Sequence, residues 1–330
     1  MKYFPHTVLA LSLMAGACTS GDGNGRDTQS ESTPLTRLDR IVAGFAELPA
    51  DRQYAIVDSL AVPLNDYIYL MGASTGNIPA SVDSLSHTAA FAIFEPEVEK
   101  AFTSTSSIEK DLGTLDANMR RHLPALPRYS YYGIISPYRQ QVMLVDSVVY
   151  VALNHYLGED HEAYSSMPEY LRRTKTRDNI TSDIAEAILS VEFPFEAEAN
   201  PTAIQYFIYE GALLNAVATL TGISDTAALM DWTPAQLSQA ASQESATWRK
   251  MAADNIIYSS DMTLARRLCA PTPSAQPISA DLPGRIGRYT GYRIVRSYLD
   301  NNPGTDISTT LSPSFYNSPS TLINSGYSPQ

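Results

Sequence analysis

Hydrophobic positions in this chain recur mostly at helical spacing, most clearly across Ala203–Thr221, AIQYFIYEGALLNAVATLT. Tyr206, Leu213, Val217 and Leu220 fall on one helical face, and Glu210 lies among them, four residues after Tyr206. A carboxylate on a stripe bound for a core needs a partner, a hydrogen bond or a proton. Glu210 is thus either a structural acid or the remnant of a catalytic site.

Upstream, Leu38, Ile41, Val42 and Phe45 predict a helix ended by Pro49. A second helix is expected from about Asp51 to Met71, kinked at Pro63, and a third over Val82 to Phe102, broken at Glu95-Pro96. Another covers Ile108 to Leu123. The pattern then changes. Arg128 to Ile135 is aromatic and β-branched, and Gln141 to Leu153 reads as two strands joined by Asp146-Ser147. These three strands suggest an antiparallel meander. Helices follow at about Pro168 to Lys175 and Thr181 to Val191.

Thr233-Pro234-Ala235-Gln236 has the form of a capping box and opens a helix expected to reach Ile257. The last long helix spans Gly284 to Leu299, where Gly287 and Gly291 leave a groove for another helix backbone. The Ser-, Pro- and Tyr-rich segment from Pro303 to Gln330 reads as a surface tail. The fold class that follows is α+β: a mostly helical single domain with a small antiparallel sheet.

At 330 residues and 44% hydrophobic content the chain can bury a substantial core. A net charge of −12 with no basic stripe argues against nucleic-acid binding. The N-terminus resembles a bacterial lipoprotein signal: Lys2, the apolar run Val8 to Met14, then Ala15-Gly16-Ala17 and Cys18. On that reading residues 1–17 are a signal peptide and Cys18 carries the lipid that anchors the protein to a membrane. Residues 18–34 form a polar tether and 35–330 the globular domain, with parts at 35–125, 126–302 and 303–330. Cys269 is then left without a disulfide partner and is read as a small buried apolar residue.

Zinc hydrolysis of the HExxH type needs two histidines one turn apart around a glutamate base. Here the equivalent segment is Tyr209-Glu210-Gly211-Ala212-Leu213; leucine cannot bind zinc and a neutral tyrosine is a poor ligand. No metal or cofactor is therefore expected. His155 and His161 flank a polar turn with Glu159 and Asp160, a spacing with no zinc specificity. Arg285, Arg288, Tyr292 and Arg296 fall at spacings of one helical face, either as an ion-pair surface in which one arginine meets Glu210 or as an anion-binding groove.

Several stretches together resemble the gliding-motility lipoprotein GldB family. They are Ser136-Pro137-Tyr138, the run from Leu153 to Asp160, Tyr209-Glu210-Gly211, Glu244 with Trp248, and Tyr258 to Asp261. Pro283 to Gly287 with Gly291, Arg293 to Tyr298, and the closing Gly326-Tyr327-Ser328-Pro329 also fit. The family is similar in turn to a group of predicted zinc-dependent proteases, which implies a zincin-like scaffold that has lost its metal. The resemblance implies a non-catalytic, lipid-anchored component of the bacterial cell envelope, most simply at the outer membrane, with other envelope proteins as partners. The alternatives are an unconventional envelope hydrolase using Glu210 with His155 or His161, and an anion-binding lipoprotein using Arg285 and Arg288.

Overall fold

A computed structural model describes residues 32–329. The signal segment, Cys18 and most of the tether lie outside the described residues.

The described chain opens with a short strand, β1 (Leu35–Arg37), and the helices α1 (Leu38–Gly44), α2 (Ala50–Ser59), α3 (Ala61–Leu70), α4 (Ile78–Ser86), α5 (Ala89–Ala101) and α6 (Ser106–His122). The expected helix over Asp51 to Met71 is two helices, parted at Leu60. Pro63 occupies the first turn of the second, where its missing N–H costs nothing, so it causes no kink. Pro96 likewise lies inside α5; the break comes earlier, where the Thr88 side chain caps α5.

The strands β2 (Ser130–Ile134), β3 (Val142–Val145) and β4 (Val148–Ala152) complete a four-stranded sheet of order β1-β2-β4-β3. The β3–β4 hairpin is antiparallel, turning at Asp146 with φ 49°, but β2 runs parallel to both β1 and β4. The sheet is mixed, and the expected antiparallel meander is corrected. The reason lies in burial. Val149, Tyr150, Val151 and Ala152 are fully buried, so β4 takes an interior position, whereas β3 is half-buried throughout and takes the edge. Tyr131 pairs with Val149 in register, and the Tyr67 hydroxyl of α3 donates to Ile135 O at 2.7 Å, fixing helix to sheet.

Beyond the sheet come α7 (Glu169–Arg172), α8 (Ile180–Glu192) and α9 (Ala203–Thr221). Then follow α10 (Thr226–Leu229), α11 (Pro234–Ser242), α12 (Glu244–Ala253), α13 (Met262–Cys269) and α14 (Ile286–Asn301). The capping box of Thr233 and Gln236 forms, but the helix it opens ends at Ser242, and α12 starts afresh at Glu244. α9 begins and ends at the predicted residues and is enclosed by α6, α8, α13 and α14. It is buried nearly all round, so its apolar character is no one-sided stripe. Tyr206 and Glu210 lie on its least buried side.

α9 and α14 cross at glycine. A Cβ on Gly211 would overlap the Gly291 carbonyl, and one on Gly291 would overlap the Phe207 carbonyl. Asn215 Nδ2 donates across this crossing to Tyr292 O at 3.3 Å. The segment expected as a surface tail carries α15 (Ile307–Thr310), α16 (Pro313–Tyr316) and α17 (Pro319–Asn324), and it seats Phe315 and Tyr316 in the core.

Candidate functional site

Glu210 leaves α9 toward Arg288 of α14, with its Oε2 3.6 Å from Arg288 Nε. Arg288 is 4% exposed and also meets Glu186 of α8, Nη2 to Oε2 at 2.7 Å. The guanidinium therefore bridges two carboxylates, although neither Nε nor Nη2 makes a well-aligned hydrogen bond. Burial opposes its charge, but Glu186 and Glu210 outweigh that and raise its pKa further. Glu186 shows the converse: burial opposes ionisation, yet Arg288 and then Arg285 hold it below the usual carboxylate range.

The neighbours of Glu210 are equally occupied. Tyr209 donates its hydroxyl to Phe193 O at 3.1 Å and sits in an aromatic cluster with Phe195, Tyr206 and Tyr316. Leu213 is 3% exposed. The positions that would hold zinc around Glu210 are thus a core aromatic and a core aliphatic residue, and they do not fit the ion. Among the described residues no group of three or more His, Cys, Asp or Glu side chains is placed to hold a metal.

The two histidines go elsewhere. His155 Nε2 donates to Tyr138 O at 2.7 Å, because a carbonyl can only accept, and Nδ1 then accepts from Lys175 Nζ at 3.5 Å. His161 turns to Glu97 of α5 at 3.4 Å and caps the turn Glu162–Tyr164. Each ring is thus committed to partners other than Glu210. Arg285 precedes α14 in a left-handed conformation, φ 66°, so it leaves the helical face shared by Arg288 and Tyr292 and pairs with Asp231 at 2.6 Å. Arg296 is exposed beside Asp300. The predicted arginine face is therefore divided among three separate pairs.

Beside this cluster lies a cleft of about 390 Å³ whose polar lining includes Arg139, Gln141, Asp183, Glu186, Asp231 and Arg285. Asp183 is its unusual member. Its Oδ2 accepts from Tyr156 Oη at 2.8 Å and from Gln141 Nε2 at 2.7 Å. Burial, then the negative charges of Asp231 and Glu186, push its pKa up to about 8. Behind it, Lys175 bonds to Gln141 Oε1 and reaches His155, so one polar chain links the histidine to the cleft. Sequence reading missed Asp183, Glu186 and Asp231. Two acids three apart on the amphipathic α8 were the available signal.

These groups set a pH dependence. Native Asp183 keeps a proton that the unfolded chain releases near pH 4, so stability falls as pH rises from about 4 to about 8. His155 has the opposite sign. Burial and then Lys175 lower its pKa to about 4, so its contribution is present above about 6.5 and lost as pH falls toward 4. The two offset each other below pH ~6.5, and the interval from there to pH ~8 reports Asp183. Asp183→Asn keeps an acceptor for Tyr156 and Gln141. Urea unfolding should show the wild-type decline across that interval flattened in the variant; an unchanged slope would reject the assignment.

The sequence profile of the family described as gliding motility protein GldB matches residues 27–329. The chain belongs to that family. No match emerges among curated proteins or among solved structures.

The stretches that carry the family resemblance meet in space. Asn154 exchanges two hydrogen bonds with the Ser136 backbone, at 3.0 and 2.9 Å, while the adjacent His155 holds Tyr138. Tyr327 donates to Glu244 Oε1 at 2.7 Å and packs edge-on against Trp248, and Arg293 Nε approaches the same carboxylate at 3.2 Å. Ile257 and Ser259 offer carbonyls to the first N–H groups of α9. Trp232 Nε1 donates to Gly284 O at 3.0 Å just ahead of Arg285. These family stretches therefore form joints between α9, α12, α14 and the C-terminal segment.

Proposed function

We propose that this protein is a lipid-anchored lipoprotein of the bacterial cell envelope, held to the outer membrane through Cys18, and that it serves gliding motility as a non-catalytic binding or structural component. The domain is in this reading a zincin-like scaffold that has lost its metal. The observation that carries the reading is the environment of Glu210: the acid is held by Arg288, while Tyr209 and Leu213 are spent on the core where ligands would stand. Without a metal-bound water, Glu210 has nothing to activate in the manner of a metallopeptidase. Among the described residues no helix is long and apolar enough to cross a membrane, and the attachment is assigned to the lipid. Arg285 and Arg288 are both compensated by carboxylates, which disfavours an anion-binding groove built on them.

The test is crosslinking in native membranes followed by gentle solubilisation and affinity capture. The expected result is a defined complex with other envelope proteins, and Cys18→Ser should shift the protein out of the membrane fraction. Recovery only as a free species, or unchanged membrane attachment of the serine variant, would overturn the corresponding half of the proposal. Elemental analysis of the purified protein should find no stoichiometric zinc; one zinc per chain, lost in His155→Ala, would revive a hydrolase.

A further inference from the structure

We propose that the cleft between α8, the start of β3 and the Asp231 and Arg285 turns binds a ligand carrying a primary ammonium group, held by Asp183 and Glu186. Of the three acids that line the cleft, two already have cationic partners. Asp231 is paired with Arg285 at 2.6 Å, and Glu186 Oε2 with Arg288 at 2.7 Å. Among the described residues Asp183 has only neutral donors, Tyr156 and Gln141, and both bond to Oδ2. Its Oδ1 makes no hydrogen bond among the described residues, yet the residue lines the cleft. Lys175 and Arg285 act on Asp183 through space, but neither comes within ion-pair distance. Lys175 is itself 6% exposed and occupied with Gln141 and His155.

Asp183 and Glu186 stand three residues apart on α8, and both line the cleft. Glu186 keeps 40% of its side chain exposed while Arg288 approaches from the protein side. The two acids thus present acceptors to a volume of about 390 Å³, ample for a lysine-sized group. A metal ion is not the occupant these residues suit, since no third donor is placed to complete a site among the described residues. A hydroxyl would satisfy one acceptor with a neutral hydrogen bond. An ammonium group brings three donors and the charge that Asp183 lacks.

Binding of such a ligand must be coupled to proton release. At neutral pH Asp183 holds a proton because burial and the negative charges of Asp231 and Glu186 disfavour its ionisation. A bound ammonium group reverses that balance, so Asp183 gives its proton to solvent as the ligand enters. Affinity should therefore rise by about tenfold per pH unit up to about pH 8 and level off above it.

The experiment is isothermal titration calorimetry of the full chain with Nα-acetyl-lysine methyl ester, in two buffers of different ionisation heat. The neutral isostere Nα-acetyl-norleucine methyl ester is the control. Saturable binding of the lysine probe that strengthens with pH and releases close to one proton at pH 7 is expected, with no binding of the norleucine probe. Asp183→Asn should weaken the lysine probe at least tenfold and abolish its proton release, and Glu186→Gln should weaken it severalfold and reduce the release without abolishing it, since burial and Asp231 still hold the proton on Asp183. Should Asp183→Asn not fold, Glu186→Gln and the wild-type buffer comparison still decide the matter. Equal binding of both probes, no binding of the lysine probe at pH 8, or binding without proton release would each overturn the proposal.

Discussion

Replacing Gly291 with alanine will separate α9 from α14 and lower the unfolding free energy by about 4 kcal/mol or more. At this crossing a Cβ on Gly291 would meet the Phe207 carbonyl, and one on Gly211 the Gly291 carbonyl. Ordinary overpacking costs ~1–3 kcal/mol because side chains can shift to accommodate it. Here the obstacle is backbone of a helix already enclosed by α6, α8 and α13, so the whole helix must move. Moving it also breaks the Asn215 bond to Tyr292 O and pulls Glu210 from Arg288. At Gly287 the neighbours are the Phe207 ring at 2.7 Å and Cys269 Sγ at 3.1 Å, which are side chains. Gly287→Ala should accordingly cost less. Thermal unfolding measures both; a Gly291→Ala midpoint within a degree or two of wild type would show that the crossing yields.

The crossing was legible beforehand because glycines four apart on a helix announce a close approach, and α9 because its nineteen residues have the length and composition of one strong helix, although the sequence suggests a one-sided stripe rather than burial nearly all round. The sheet was legible in composition but not in order. β-branched and aromatic runs mark strands, yet nothing local says that β2 pairs with β4 rather than β3. That choice follows from which strand must be buried on both faces, and β1 is too short to carry a pattern at all. Prolines misled in a consistent way. Pro63 suggests a kink and Pro96 a break, but the interruptions fall at Leu60 and His87.

The site was legible only in part. An arginine of the last helix meeting Glu210 is one of two readings the sequence allows, but spacing does not say that Arg288 is the one. Arg285 was placed on the wrong face because a left-handed residue ahead of a helix obeys no helical spacing, and spacing was the only guide. Asp183 looks like any acid on an amphipathic helix. Its character comes from Tyr156 and Gln141, on separate segments, and from the negative field of Asp231. Such a convergence of distant segments leaves no local pattern to read.

Arg288→Met will destabilise the domain by about 3 kcal/mol, and the loss will depend on pH and on Glu210. Methionine fills much of the buried volume, so the cost comes from two carboxylates left without their cation. Glu186, 40% exposed, can regain water, whereas Glu210, with a 15% exposed side chain, cannot do so fully. Glu210→Gln alone should cost about 1–2 kcal/mol. The double variant should be less damaged than the sum of the two, because the second change removes a charge that the first left unpaired. The sign with pH is fixed by Glu186. Arg288 depresses its pKa, so the stabilisation is present above the ordinary carboxylate range and lost as pH falls through the native value. The gap between wild type and Arg288→Met should therefore narrow in acid. If Glu210 is structural, loss of function in Glu210→Gln will track loss of folded protein in the same preparation. Full stability with function abolished would instead make Glu210 a working group, and the reading of α9 as a scaffold helix would fall.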